Sequence, residues 1–142
     1  MRVSSALRLA GSARVARLAT IAPDGRVDLV PMVFALAGST LYTGVDHKPK
    51  RSPNLRRIEN ARARPAVTVL VDHYSEEWSE LWWVRLRGRA RVLDRGSEAE
   101  QAIDLLVARY EQYAERRPVP PVLAIDVEEA RVWRAVDGVE RH

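Results

Sequence analysis

Leu18-Ala19-Thr20-Ile21-Ala22-Pro23-Asp24-Gly25-Arg26-Val27-Asp28-Leu29-Val30-Pro31-Met32-Val33-Phe34-Ala35-Leu36 is the stretch that decides the fold. A short apolar run, a Pro-Asp-Gly turn and a longer apolar run make a β-hairpin, because proline presets φ while Asp and Gly accept the turn conformations that strands refuse. Ala37-Gly38-Ser39 is a second turn and Leu41–Val45 a third strand. Hairpins continue downstream. Ala66–Asp72, rich in β-branched residues, reads as a buried central strand. Trp82–Leu93 alternates: Trp82, Val84, Leu86, Gly88, Ala90 and Val92 share one face, and Trp83, Arg85, Arg87, Arg89 and Arg91 the other. The arginine row is either a solvated outer face or a surface turned to an anionic ligand or a partner subunit. Val122–Val127 and Ala130–Ala135 read as closing strands separated by an acidic turn at Glu128 and Glu129.

Helices flank this core. Ser4 or Ser5 can cap one carrying Leu7, Ala10, Val15 and Leu18 at roughly helical spacing, with its expected extent at residues 1–16. Ser97-Glu98-Ala99-Glu100 has the form of a capping box, so a helix is expected over 97–117, ended by Pro118-Val119-Pro120-Pro121; its Tyr110 and Tyr113 are expected at the core edge. Six or so strands joined largely by hairpins over 17–94 and 122–135, with helices at the margins, predict a mainly β fold, a single antiparallel barrel spanning 1–142. No βαβ alternation and no glycine fingerprint for dinucleotides or nucleoside triphosphates is present.

The third strand runs into Val45-Asp46-His47-Lys48-Pro49-Lys50-Arg51-Ser52-Pro53-Asn54-Leu55-Arg56-Arg57, which holds both lysines of the chain. Ser52 followed by Pro53 reads as a helix N-cap with proline at the first helical position, giving a short helix to about Asn60. Its unpaired N–H groups lie just after Lys48, Lys50 and Arg51. Residues 46–57 are therefore a phosphate site, a solvated loop or a basic patch for nucleic acid.

Composition narrows the chemistry. The chain has 142 residues, 46% hydrophobic and 30% charged, with 23 basic against 19 acidic residues. The mild positive excess favours anionic partners without demanding nucleic acid. The absence of cysteine excludes disulfides and thiolate nucleophiles. Arg8, Arg14 and Arg17 interrupt the N-terminus too often for a membrane span or leader, so a cytoplasmic protein is expected. His47, His73 and His142 lack metal-ligand spacing, no Gly-x-Ser-x-Gly elbow exists, and no catalytic side chain can be assigned. A chain without its own reactive group more often borrows reactivity from a cofactor.

Arg17–Arg26, Val30–Phe34, Lys50–Arg57 and Ala66–Asp72 together resemble the split β-barrel flavin-binding family related to pyridoxamine 5′-phosphate oxidase. Within it they look most like the small actinobacterial members that use the deazaflavin coenzyme F-420. The resemblance runs from Leu18 to Trp133. It implies a six-stranded split barrel and a homodimer with cofactor sites at the interface. It further implies phosphate binding by Lys48, Lys50 and Arg51 with Ser52 and Asn54, ring contacts from Pro31, Met32 and Val33, and Thr43 and Gly44 along the cofactor. Trp78 or Trp82 would cover the ring from the other subunit. The implied activity is hydride transfer to a small electron-poor acceptor, with Tyr42 or water as guesses for a proton donor. FMN is the alternative cofactor; a non-catalytic cofactor carrier and a nucleic-acid binder are the remaining rivals. The C-terminal arginine segment that serves vitamin B6 oxidation is not evident beyond Trp133.

Overall fold

The computed structural model describes residues 2–45, 53–136 and 139–141. The first hairpin closes as its turn residues require. The Ala22 N–H donates to the Arg26 carbonyl at 2.8 Å and the Gly25 N–H to the Ala22 carbonyl at 2.9 Å. Gly25 takes φ +86°, and Asp24 Oδ1 accepts from the Arg26 N–H at 3.0 Å. This sets β1 (Ala16–Ile21) against β2 (Val27–Met32) with Ile21 opposite Val27 and Ala16 opposite Met32.

The longer apolar run does not continue as one strand to Leu36. It turns a corner at Val33-Phe34 and resumes as β3 (Ala35–Ala37), which pairs with β4 (Thr40–Gly44). After α2 (Pro53–Ala63) come β5 (Ala66–His73), β6 (Trp82–Leu93) and β7 (Val122–Val136). The sheet runs β2-β1-β5-β6-β7-β4-β3, with the short β8 (Val139–Arg141) added to β7, and every pairing is antiparallel. β2 and β3 lie at opposite ends of that order, yet only two residues separate them. The sheet therefore curls until its ends meet, which makes it a barrel with its seam at Val33-Phe34. Eight strands occur among the described residues where six or so were expected: the corner makes two strands of one and β8 is added, while the two expected closing strands are one, β7.

The core fills the barrel. Leu18, Leu41, Val69, Val71, Val84, Leu86, Leu123 and Ile125 are buried, supplied by alternate positions of their strands, and Phe34 joins them from the corner. β6 follows the alternation read from the sequence, with Val84, Leu86, Gly88 and Ala90 buried and Arg87, Arg89 and Arg91 exposed. β5 is central but alternates too, so the expectation of a wholly buried strand is corrected: Leu70 and Asp72 are exposed. β7 is one strand, not two. Its register against β6 passes from Arg87 opposite Glu129 to Gly88 opposite Val127, leaving Glu128 as the extra residue of a β-bulge, so the acidic pair is a bend within a ladder.

Helix boundaries also shift. α1 spans Val3–Ala10, shorter than the expected 1–16; Gly11 ends it, no serine caps it, Val15 lies outside it, exposed, and Leu18 is buried in β1 instead. α3 (Ser97–Arg109) has Gly96 at its N-cap at φ +106°, so the capping box does not form. Glu100, the glutamate of that box, instead accepts from Arg117 at 3.2 Å, while Glu98 accepts from Arg91 at 2.8 and 2.9 Å and from the Tyr42 hydroxyl at 2.8 Å. Extended backbone at Tyr110 separates α3 from α4 (Glu111–Glu115), where one helix was expected. Among the described residues no helix is long and apolar enough to cross a membrane.

Arg91 also bonds Asp126 at 2.6 and 3.0 Å, and Thr40 donates to Asp126 at 3.0 Å, so one network ties α3 to β4, β6 and β7. Hydrogen bonds from Arg91 hold both Glu98 and Asp126 below their ordinary carboxylate values. Burial, then the Glu98 partner, pushes Tyr42 up to about 12. The signs follow. Depressed carboxylates stabilise the fold above their unfolded values, near 4, and that contribution is lost as pH falls through the folded ones. Between about pH 10 and 12 the folded state keeps a Tyr42 proton that the unfolded chain releases, so stability falls as pH rises. Urea midpoints measured across acid, neutral and alkaline buffers are expected to show both losses. Arg91→Met flattens the acid arm, and Tyr42→Phe removes the alkaline one.

Candidate functional site

α2 is poor in large apolar residues, so it packs through polar ones as well. Ile58 and Ala61 enter the core, and beside them Arg57 and Asn60 are buried. Arg57 Nη2 donates to the Gly44 carbonyl at 2.7 Å. Asn60 Nδ2 donates to Thr20 Oγ1 at 3.1 Å and to Asp28 Oδ2 at 2.8 Å, giving each amide hydrogen an acceptor. These bonds fix the helix against β4, β1 and β2. The sequence reading missed both residues. The available signal was that PNLRRIENARA has too few apolar side chains to dock without burying polar ones.

The corner after β2 meets β4 at the same end of the barrel. Buried Thr43 donates its hydroxyl to the Val33 carbonyl at 2.8 Å, and the next residue, Gly44, holds Arg57. Val33, Thr43, Gly44 and the helix bearing Asn54 are thus joined. Met32 adjoins them, buried opposite Ala16, and Pro31 is exposed opposite Arg17. Pro31 costs the sheet little, because β2 is an edge strand and an outward position needs no ladder donor. Lys48, Lys50, Arg51 and Ser52 lie outside the described residues, as does the side chain of Asn54.

Other expected residues stand apart. Trp78 sits in a 3-10 turn (Trp78–Glu80) of the β5–β6 connection, 67% exposed, and no hydrogen bond or ring contact among the described residues joins it to the seam. Trp82 stacks on His73 with ring centroids 5.8 Å apart. The Tyr42 hydroxyl, a guess for a proton donor, is bonded to Glu98. Of the arginine row, Arg91 is held by Glu98 and Asp126, and Arg87 lies 3.8 Å from Glu129. Arg85 and Arg89 have no ion-pair partner among the described residues.

The register places Pro31, Arg17, Leu70 and Arg85 in one row across four strands, with Leu29, Ala19, Thr68 and Arg87 in the next. Val27 and Leu29 are 63% and 65% exposed on this outer face, beside exposed Ile21 and Leu70. This strip of exposed apolar side chains, crossed by Arg17, is a candidate interaction surface.

Curled antiparallel strands, a seam where the sheet's ends meet, and helices at the margins define a split-barrel protein. The family model described as pyridoxamine 5′-phosphate oxidase matches residues 6–134, and the chain belongs to that family of flavin-binding split barrels. Similar folds occur in a conserved hypothetical protein of Mycobacterium tuberculosis (20% identity, TM-score 0.73, covering 95% of this chain and 86% of that one). An FAD-binding protein of Mesorhizobium loti is also similar (22%, 0.69, covering 93% and 94%). So is the heme storage protein of Vibrio cholerae (15%, 0.68, covering 94% and 95%). At these identities the likeness is one of fold. No curated protein matches the chain.

Proposed function

We propose that the protein is an oxidoreductase that holds the deazaflavin coenzyme F-420 between two copies of the chain and serves hydride transfer to a small electron-poor acceptor, such as an enone, a quinone or a tetrapyrrole-derived pigment. The observation that carries this reading is the joining of Val33, Thr43 and Gly44 to the helix that follows Lys48, Lys50 and Arg51. It links a strand corner fit for a flat ring to a cationic helix start fit for its phosphate. The residues present suit the cofactor's chemistry. β2 is a free edge whose outward backbone groups lack a ladder partner among the described residues, so a heteroaromatic ring can bond there.

When bound, the cofactor supplies the hydride chemistry. The chain orients it: Pro31, Met32 and Val33 meet the ring, Thr43 and Gly44 shape the strand beside it, and Lys48, Lys50, Arg51 and Asn54 hold the phosphate. The exposed apolar strip supports a second copy as the partner that completes the site and excludes water. Arg85 and Arg89, on that strip's flank, favour a longer polyanionic tail than FMN carries, which is why the deazaflavin is preferred. Trp78 is assigned to the partner's ring face.

The test is a side-by-side titration of the purified protein with the deazaflavin, FMN and hemin, followed by tryptophan fluorescence. Selective deazaflavin binding is the expected result. Preference for FMN moves the protein to the oxygen-reactive flavoenzymes, and preference for hemin to the carriers. Binding of none of the three, with steeply salt-dependent binding to nucleic acid, would overturn the proposal.

A further inference from the structure

Barrel closure leaves a problem at the seam. Val33 and Phe34 belong to no strand, so no ladder fixes the backbone that the proposed ring meets. Tyr110 reaches it from 76 residues away. Its hydroxyl lies 3.1 Å from the Phe34 nitrogen and 2.9 Å from the Phe34 carbonyl oxygen. Arg109 Nε is 3.1 Å away and the Arg14 carbonyl 2.8 Å. A phenol offers one proton and two lone pairs. It accepts from the Phe34 N–H and from Arg109, and shares its proton between the two carbonyls.

The tyrosine is itself held. The Arg14 guanidinium stands 5.1 Å from its ring centroid and donates to the Arg109 carbonyl at 2.8 Å. Arg109 stands 5.0 Å from the Phe34 ring centroid and 5.6 Å from that of Tyr110, and it donates to the Gly11 carbonyl at 3.0 Å and to the Ala13 carbonyl. Phe34 is fully buried, so its amide has no water to turn to if the phenol is removed. This accounts for the helix break: extended backbone at Tyr110 (φ −121°, ψ 118°) belongs to a residue whose side chain is committed to the seam.

We infer that Tyr110 is a positioning residue of the cofactor site, whose hydroxyl fixes the Phe34 backbone and through it the Val33 carbonyl and the Thr43 contact. The inference rests on the proposed cofactor reading. It acts through the backbone and assigns Tyr110 no contact with cofactor or substrate.

Tyr110→Phe is compared with Tyr42→Phe, which also deletes a bonded tyrosine hydroxyl but one that touches Glu98 rather than the seam. Three quantities are read: urea midpoint, amide exchange at Phe34 in the free protein, and Kd for the deazaflavin and FMN. Both variants are expected to lose similar stability. Tyr110→Phe alone exchanges Phe34 faster and weakens cofactor binding by about tenfold, the effect of one hydrogen bond carried into affinity. Binding by Tyr110→Phe equal to the parent, or affinity losses in both variants that track stability, overturns the inference. Should the parent bind neither cofactor, the functional proposal falls. The exchange arm then still decides the seam: protection lost only in Tyr110→Phe sustains its role there, and unchanged protection removes it.

Discussion

Replacing Gly88 with alanine is expected to lower the unfolding free energy by about 3 kcal/mol or more and Tm by roughly 10 °C. An added Cβ would lie 2.3 Å from the Asp126 carbonyl oxygen and 3.0 Å from its carbon. Both are backbone atoms, so no side-chain rotation relieves the clash. They belong to β7 at the point where its register against β6 shifts and Glu128 is left over. The bulge bends two long strands around the barrel, and glycine is what lets their backbones approach there. Moving β7 outward would break ladder bonds on the pair that joins the two halves of the sheet. Gly25→Ala is the control: at φ +86° with nothing within 4 Å, it suffers backbone strain alone, about 1 kcal/mol. Urea unfolding of the two variants separates the causes. Equal losses would mean that close approach at Gly88 is not what matters.

The same bulge shows why parts of the fold were illegible. Glu128-Glu129 looks like a turn locally, and only Arg87, 42 positions before Glu129 (129 − 87), reveals that it stays in a ladder. Glu100 completes a capping-box pattern locally, yet Gly96 takes the N-cap and Glu100 accepts from Arg117, 17 positions on, instead. The run Val27–Leu36 carries no glycine at its corner, and its proline sits inside β2, so nothing nearby marks the seam. The distant mark is Tyr110. Where period and turn chemistry agreed, the reading held: the Pro-Asp-Gly hairpin and the inward and outward faces of Trp82–Leu93 are as expected. The candidate site divides the same way. Val33, Thr43 and Gly44 fall together because they flank strand ends that the family pattern orders. Arg57, Asn60 and Tyr110 were missed because their importance comes from partners on other elements.

Lys50→Ala and Arg51→Ala are each expected to weaken cofactor binding by about tenfold, and the double variant by roughly a hundredfold, from charge-assisted phosphate bonds of ~1.5 kcal/mol apiece. The proposed dimer, read by sedimentation, and the urea midpoint should stay as in the parent. The fold is held elsewhere, by Arg57 on Gly44 and Asn60 on Thr20 and Asp28, so removing the cations that precede α2 in the sequence leaves the helix in place. Arg51→Lys separates charge from shape. It keeps the cation but loses the planar fork, so a loss close to that of alanine would make Arg51 the bidentate ligand and parent-like binding would make it a general cation. Raising salt should weaken the parent more than the double variant, because the lost interactions are the screened ones. If both alanine variants bind as tightly as the parent, the phosphate is not held by these residues. Arg85 and Arg89 on the outer face of β6 then become the cations to replace next. A loss on that face would move the anion site from the helix start to the outer face of β6 while leaving the proposed ring position at the seam.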